Sequence, residues 1–118
     1  MNESEERARR EAAERVERAE LAVDQERQRR IDLLNQTHEF PTTVLFKVIG
    51  TNDPQFVLAV LEAIREVLEL AEHPGHQLRE ARGGRHIAIS LEPPVQHAEQ
   101  VLNVYARLSL VEGVVMML

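Results

Sequence analysis

A charged helix followed by an α+β domain of order β-α-β-β-α-β is the fold class this sequence predicts. Three observations predict it. Composition changes sharply near Phe40: residues 1–36 hold ten acids and eight arginines, with mostly alanine as the apolar residue, and nearly all large apolar side chains follow Phe40. Past that point the apolar pattern switches between period 2 and period 3.6 in the order strand, helix, strand, strand, helix, strand. A Gly83-Gly84 pair lies between the second and third of those strands, where a hairpin needs positive φ. The expected organisation is a charged helical extension over 1–39 and one domain over 40–118.

The elements follow in order. Asn2 is placed to cap the first helix, with Glu5 three residues on. Glu3–Arg7, Glu5–Arg9, Glu6–Arg10, Glu11–Arg15, Glu14–Arg18 and Glu26–Arg30 are acid-first i,i+4 pairs, each contributing about 0.2–0.5 kcal/mol. Its apolar stripe is thin (Ala12, Val16, Ala19, Val23) and fails across residues 24–30. That leaves a solvated helix, with docking or dimerisation as the alternatives.

"FPTTVLFKVIG" is β-branched and ends in Gly50, which predicts a strand over 43–49. Asp53 is a good N-cap and Pro54 a good first helical residue. Val57, Val60, Leu61, Ile64, Val67, Leu68 and Ala71 keep helical spacing. The helix should end near Glu72, because Pro74 disfavours helical geometry at His73 and Gly75 permits a left-handed turn. Leu78 alternates with charged neighbours, as on an edge strand. Ile87, Ile89 and Leu91 alternate with Ala88 and Ser90, and Pro93-Pro94 stops the run. Ala98, Val101, Leu102, Tyr105 and Leu108 mark a last helix within 95–108, and "VVMML" closes as a strand.

That order settles the role of "ARGGRH". A phosphate cradle puts glycines between a strand and a helix N-terminus, so that the helix amides face the anion. Here they lie between two strands and predict a two-residue hairpin loop. Arg82 and Arg85 are then expected in solvent or paired with Glu80.

The β-α-β-β-α-β order builds a ferredoxin-like domain, a four-stranded antiparallel sheet with two helices on one face. Parity turns Val44, Phe46, Val48, Ile87, Ile89, Leu91, Val114, Met116 and Leu118 toward the helices. It turns Leu45, Lys47, Ile49, His86, Ala88, Ser90, Val115 and Met117 to the opposite face. Leu45, Lys47, Ile49, Ala88, Val115 and Met117 form the candidate interaction face. It is too apolar to be simply wet. The N-terminal helix, a second copy of the chain or another protein could cover it.

The chain carries a net charge of −6 and no cysteine over 118 residues. Acidity argues against a nucleic-acid partner, and base stacking would need aromatics that the open face lacks. Without cysteine there is no disulfide, thiolate metal site or thiol catalysis. There is no apolar signal core and no run of the ~18 apolar residues that a membrane span takes. A cytoplasmic protein with no membrane partner is expected.

The stretches Phe40–Gly50, Ala98–Leu108 and Val114–Leu118 lie in the order and at the spacing of a known family. The chain resembles the YbeD-like bacterial proteins, a family of unknown function. The resemblance implies the ferredoxin-like fold and similarity to ACT domains, small regulatory modules that bind amino acids or associate through their sheets. It attaches no activity and no catalytic residue. Two departures stand out: the family usually has a serine-lysine-glycine turn and an aromatic at the hairpin, and residues 1–39 are longer than in short members.

Candidate reactive groups are sparse. His73 and His76 flank Pro74-Gly75, but no third ligand is evident for a metal site. His86 and His97 are isolated, and Ser4, Ser90 and Ser109 sit in no nucleophile motif. Lys47, the sole lysine, falls on the candidate interaction face. Tyr105 should be core with its hydroxyl at the rim. The expectation is a non-enzymatic regulatory or association module acting through its sheet face or a sheet edge, without cofactor or metal, partnered by itself or another protein. The alternative is an ACT-like sensor that binds an amino acid or small metabolite at an oligomer interface.

Overall fold

In the computed structural model the described residues are 2–118, without the side chain of Arg82, so the expectation for that arginine lies outside them. The chain divides into two units, one ending at Thr37 and one beginning at His38. The first is a single helix, α1 (Glu3–Thr37). Asn2 Oδ1 accepts from the Glu5 amide at 2.9 Å, the expected cap. Of the six expected acid–arginine pairs, Glu26–Arg30 is closed, and Glu26 also holds Arg29 at 2.7 Å. Among the described residues the other five are open, consistent with the small net value of solvated pairs.

The second unit is α+β. It holds β1 (Thr42–Thr43), β2 (Phe46–Thr51), α2 (Pro54–Val67), β3 (His76–Glu80), β4 (His86–Leu91), β5 (Pro94–Val95), α3 (Ala98–Leu108) and β6 (Val114–Met117). The four longer strands form one antiparallel sheet in the order β3-β4-β2-β6. Phe46, Val48, Ile87, Ile89 and Leu91 are buried on one face, with Phe56, Val60, Leu61, Ile64, Val101, Val104 and Leu108 from the two helices. These apolar side chains supply the main stabilisation of the unit.

The expected strand over 43–49 is split. Thr42–Thr43 pairs with Pro94–Val95 as a separate two-stranded ladder, and β2 starts at Phe46. Val44 stays buried at the break, its amide bonded to the Pro93 carbonyl. This pairing also delays α3 to Ala98, since Pro94 and Val95 are used as strand.

Helix α2 starts as expected, with Asp53 accepting from the Gln55 amide at 2.9 Å and Pro54 in the first turn. It ends earlier than Glu72. Glu69 takes a left-handed φ of 53°, its amide bonds the Glu66 carbonyl, and the Leu70 amide reaches the Arg65 carbonyl at 2.9 Å. This is a Schellman closure with glutamate where glycine is usual, so the expected glycine signal was displaced.

Between β3 and β4 the glycines do make a hairpin. The loop is four residues rather than two: Ala81 bonds His86, and the Gly84 amide closes back on the Ala81 carbonyl. Gly83 and Gly84 have φ of 83° and 71°. Arg85 is exposed, and Glu80 accepts from Asn52 instead.

One bulge changes the sheet faces. Ile49 opposes Met116 and Gly50 opposes Val114, which leaves Val115 as an extra residue in β6. Directly opposed residues share a face. Met117, opposite buried Val48, is therefore on the helix face, not the open one. Met116 opposite Ile49, and Leu118 bonded through both backbone groups to Lys47, are on the open face. The parity expectation for Met116, Met117 and Leu118 is inverted because period 2 was carried through a strand with one extra residue.

Candidate functional site

The open face is built from three side chains of β2 and its lead-in and from the strands beside it. Ile49 is half-buried, and Leu45 and Lys47 are exposed. Ala88 and Ser90 of β4 oppose Ile49 and Lys47, and Gln77 and Arg79 of β3 oppose Ser90 and Ala88. On the other flank Met116 is 50% exposed and Leu118 61%. Val115 is exposed at the bulge, outside the alternation. Of the expected face residues, Leu45, Lys47, Ile49 and Ala88 are thus brought together, and Met117 is not. Met116 and Leu118 replace it, and only the bulge could have revealed that.

Within the strands this face carries Lys47 and Arg79 and no acid, although the chain is net −6. Lys47 stands between Ser90 and Leu118, and Arg79 lies two strands away at the β3 edge; an apolar face with cations and no acid suits a surface with acidic margins. Leu45 also lines a small depression of about 280 Å³ with Gln77, Ser90 and Glu92.

A second feature lies on the helix side of the sheet edge. A groove of about 910 Å³ runs between α2 and β3. Its walls are Val57, Leu58, Leu61, Leu78 and Ile87, and Asn52, His73 and His76 stand at its rim. Leu58 is off the apolar stripe read from sequence, so the groove had no periodic signal.

The histidines sit apart from one another's chemistry. His73 Nε2 lies 2.9 Å from Glu62 Oε2, and His76 Nδ1 lies 3.2 Å from the Pro74 carbonyl. Among the described residues no three His, Cys, Asp or Glu side chains are placed to hold a metal ion. His97, isolated in sequence terms, pairs with Glu99 at 3.1 Å. Arg65 donates to Glu62 through Nε at 2.9 Å and a terminal nitrogen. Those bonds, then the His73 contact, hold the Glu62 carboxyl at about 2, well below the usual carboxylate range. Tyr105 packs its ring 5.5 Å from that of Phe46 and donates its hydroxyl to the Leu118 carbonyl at 3.2 Å. Burial pushes its phenol up.

Among the described residues no helix is long and apolar enough to cross a membrane. A family model described as "Protein of unknown function (DUF493)" matches residues 35–118. A UPF0250 protein of Yersinia pestis (strain Pestoides F) is 31% identical over 88 residues, spanning 72% of this chain and 95% of the relative. A UPF0250 protein of Yersinia pseudotuberculosis serotype O:1b matches to the same extent, 31% over 88 residues. Matched through its whole sheet-bearing region, the chain belongs to the DUF493 family of proteins of unknown function, the YbeD-like family.

Proposed function

We propose that this chain is a small, non-enzymatic regulatory module of the ferredoxin-like type that acts in the cytoplasm by associating with another protein through the open face of its sheet. The observation that carries the reading is the exposure of Met116 and Leu118 beside Ile49 and Lys47. Solvated sheet faces alternate with polar residues; contiguous exposed apolar side chains mark contact surfaces. The two cations favour a partner whose apolar segment is edged by acids rather than a second copy of the same face, which carries no acid within its strands.

A second reading is a sensor similar to ACT domains, binding an amino acid or small metabolite at an oligomer interface. The groove between α2 and β3 supports it: the cleft is mostly apolar with a few polar groups at the rim, the usual lining of small-ligand sites.

Both are tested on the full chain. Leu118→Glu should abolish capture of the physiological partner in a pull-down while leaving the melting temperature within a few degrees, because the side chain is exposed. A thermal-shift panel of amino acids and anionic metabolites tests the sensor. A selective rise of ligand-dependent size, about 2.7 kcal/mol at a hundredfold excess over Kd, would favour it. Capture that is indifferent to Leu118→Glu and Leu45→Glu would remove the open-face reading.

A further inference from the structure

The sheet has two edges, and they differ. β6 is short and carries the bulge at Val115, a device that turns an edge away from pairing. β3 is regular over His76–Glu80, pairs with β4 without a break in register, and is exposed along its whole length. The Ala81 amide bonds the His86 carbonyl at 2.9 Å. By the alternation of an antiparallel ladder, Gln77 and Arg79 then direct their backbone groups to β4, and His76, Leu78 and Glu80 direct theirs outward. The outward set is the template for another strand.

From this edge we infer that β3 pairs antiparallel with β3 of a second copy about a two-fold axis through Leu78. The reading rests on the association role proposed above but assigns self-association to a different surface. Its support is the self-complementarity of the strand. With Leu78 opposite Leu78 of the second copy, each His76 faces a Glu80 and each Gln77 faces an Arg79, so no like charges meet. The three outward-facing residues are also the ones brought into register with each other, so their backbone groups bond in pairs. A shift of two residues would instead leave His76 opposite Leu78 and unpair Glu80.

The groove adds apolar area to the same surface. Leu78 is 48% exposed and Leu58, on the facing wall of the groove, is 54% exposed. Two-fold pairing brings Leu78 and its groove wall against their counterparts, which a lone exposed edge strand does not explain. The product is one sheet continuous across two chains, with the open face of each half still free for a different partner.

The test uses the full chain in light scattering and sedimentation, with far-UV circular dichroism as the folding control. Wild type should sediment at twice 13.5 kDa at micromolar concentrations. Glu80→Lys removes the carboxylate facing each His76 and puts a lysine in its place at two symmetric positions, and should raise the dimer dissociation constant about tenfold. His76→Glu combined with Glu80→Lys reverses the pair and should restore the dimer, a rescue that mere damage to β3 would not give. Leu78→Pro removes an outward amide without taking one from β4 and should give a folded monomer. Amide exchange at His76, Leu78 and Glu80 should slow as protein concentration rises. A monomeric wild type, a dimer that survives Leu78→Pro, or a folded double variant that stays monomeric would each overturn the inference. Leu118→Glu separates the two proposals: it should leave this dimer intact, and loss of the dimer in that variant with retention in Glu80→Lys would place self-association on the open face instead.

Discussion

Gly50→Ala tests the packing of the domain at its tightest point. Gly50 lies on the helix face of β2, and a Cβ there would meet Phe56 Cζ at 2.2 Å, Phe56 Cε1 at 2.7 Å and the Gly113 carbonyl oxygen at 2.6 Å. Optimal carbon contacts are about 3.5–4.0 Å, so the ring must retreat by more than about 1 Å. It has little room, since Phe56 is buried in the core. The carbonyl is equally fixed, because it accepts from the Thr51 amide at 3.1 Å. Overpacking of this kind costs about 1–3 kcal/mol, and two fixed neighbours put Gly50→Ala at the upper end, roughly 2–3 kcal/mol. For a domain of this size that lowers Tm by about 10–20 °C. Without the clash the sign would reverse, since alanine restricts the unfolded chain and stabilises by about 0.4–1 kcal/mol. Urea unfolding followed by Tyr105 fluorescence is the assay: it is the only tyrosine, there is no tryptophan, and it lies in the second unit. Phe56→Leu should cost less in the Gly50→Ala background than alone. A Tm within a degree of wild type, or strictly additive losses in the double variant, would refute the steric argument.

Other outcomes follow from the same geometry. Asp53→Ala removes the cap on the Gln55 amide and should cost about 1 kcal/mol in urea unfolding; Asp53→Asn should cost much less. Glu69→Gly relieves a left-handed φ of 53° and should raise stability by up to about 1 kcal/mol, despite the added unfolded-state entropy. The Glu62 carboxyl should titrate near 2 by carbon NMR, and Arg65→Met should return it toward 4.5. Because its folded value is the lower one, Glu62 contributes stability fully above about 4.5, and that contribution is lost as pH falls toward 2.

Much of the architecture was legible because hydrophobic period reports burial directly. Ile87, Ile89 and Leu91 alternate with Ala88 and Ser90 in the sequence and in the sheet alike. The Asp53-Pro54 start of α2 was equally plain, since both residues have one strong local preference. Three features were hidden, each because a nonlocal contact overrode a local rule. β1 and β5 pair across more than fifty residues of chain, which no window near Val44 or Pro94 can register. The left-handed residue ending α2 is Glu69, and the glycine that cues the turn in the sequence, Gly75, lies well past it. The bulge at Val115 exists only relative to β2, and "VVMML" has no internal irregularity. Strict alternation therefore puts Met117 on the open face and Leu118 away from it, and the bulge reverses both. The groove was illegible for a further reason: its walls, Leu58 and Leu78, come from elements whose separation is set by the turn between them.

The extra residue at Val115 gives β6 a phase. Everything after it is displaced by half a period relative to everything before it. Length changes in the connection over 109–113 would leave this phase alone, because the loop precedes the pairing. Loss of Val115 would remove the phase and keep the faces: Val114 would stay opposite Gly50, and Met116 and Met117 opposite Ile49 and Val48, now in strict alternation. Loss of Met117 would instead bring Leu118 opposite Val48 and turn an exposed apolar side chain beneath the helices. Among relatives that differ in length at this strand, the chemistry of the exposed face should depend on which side of the bulge the change falls.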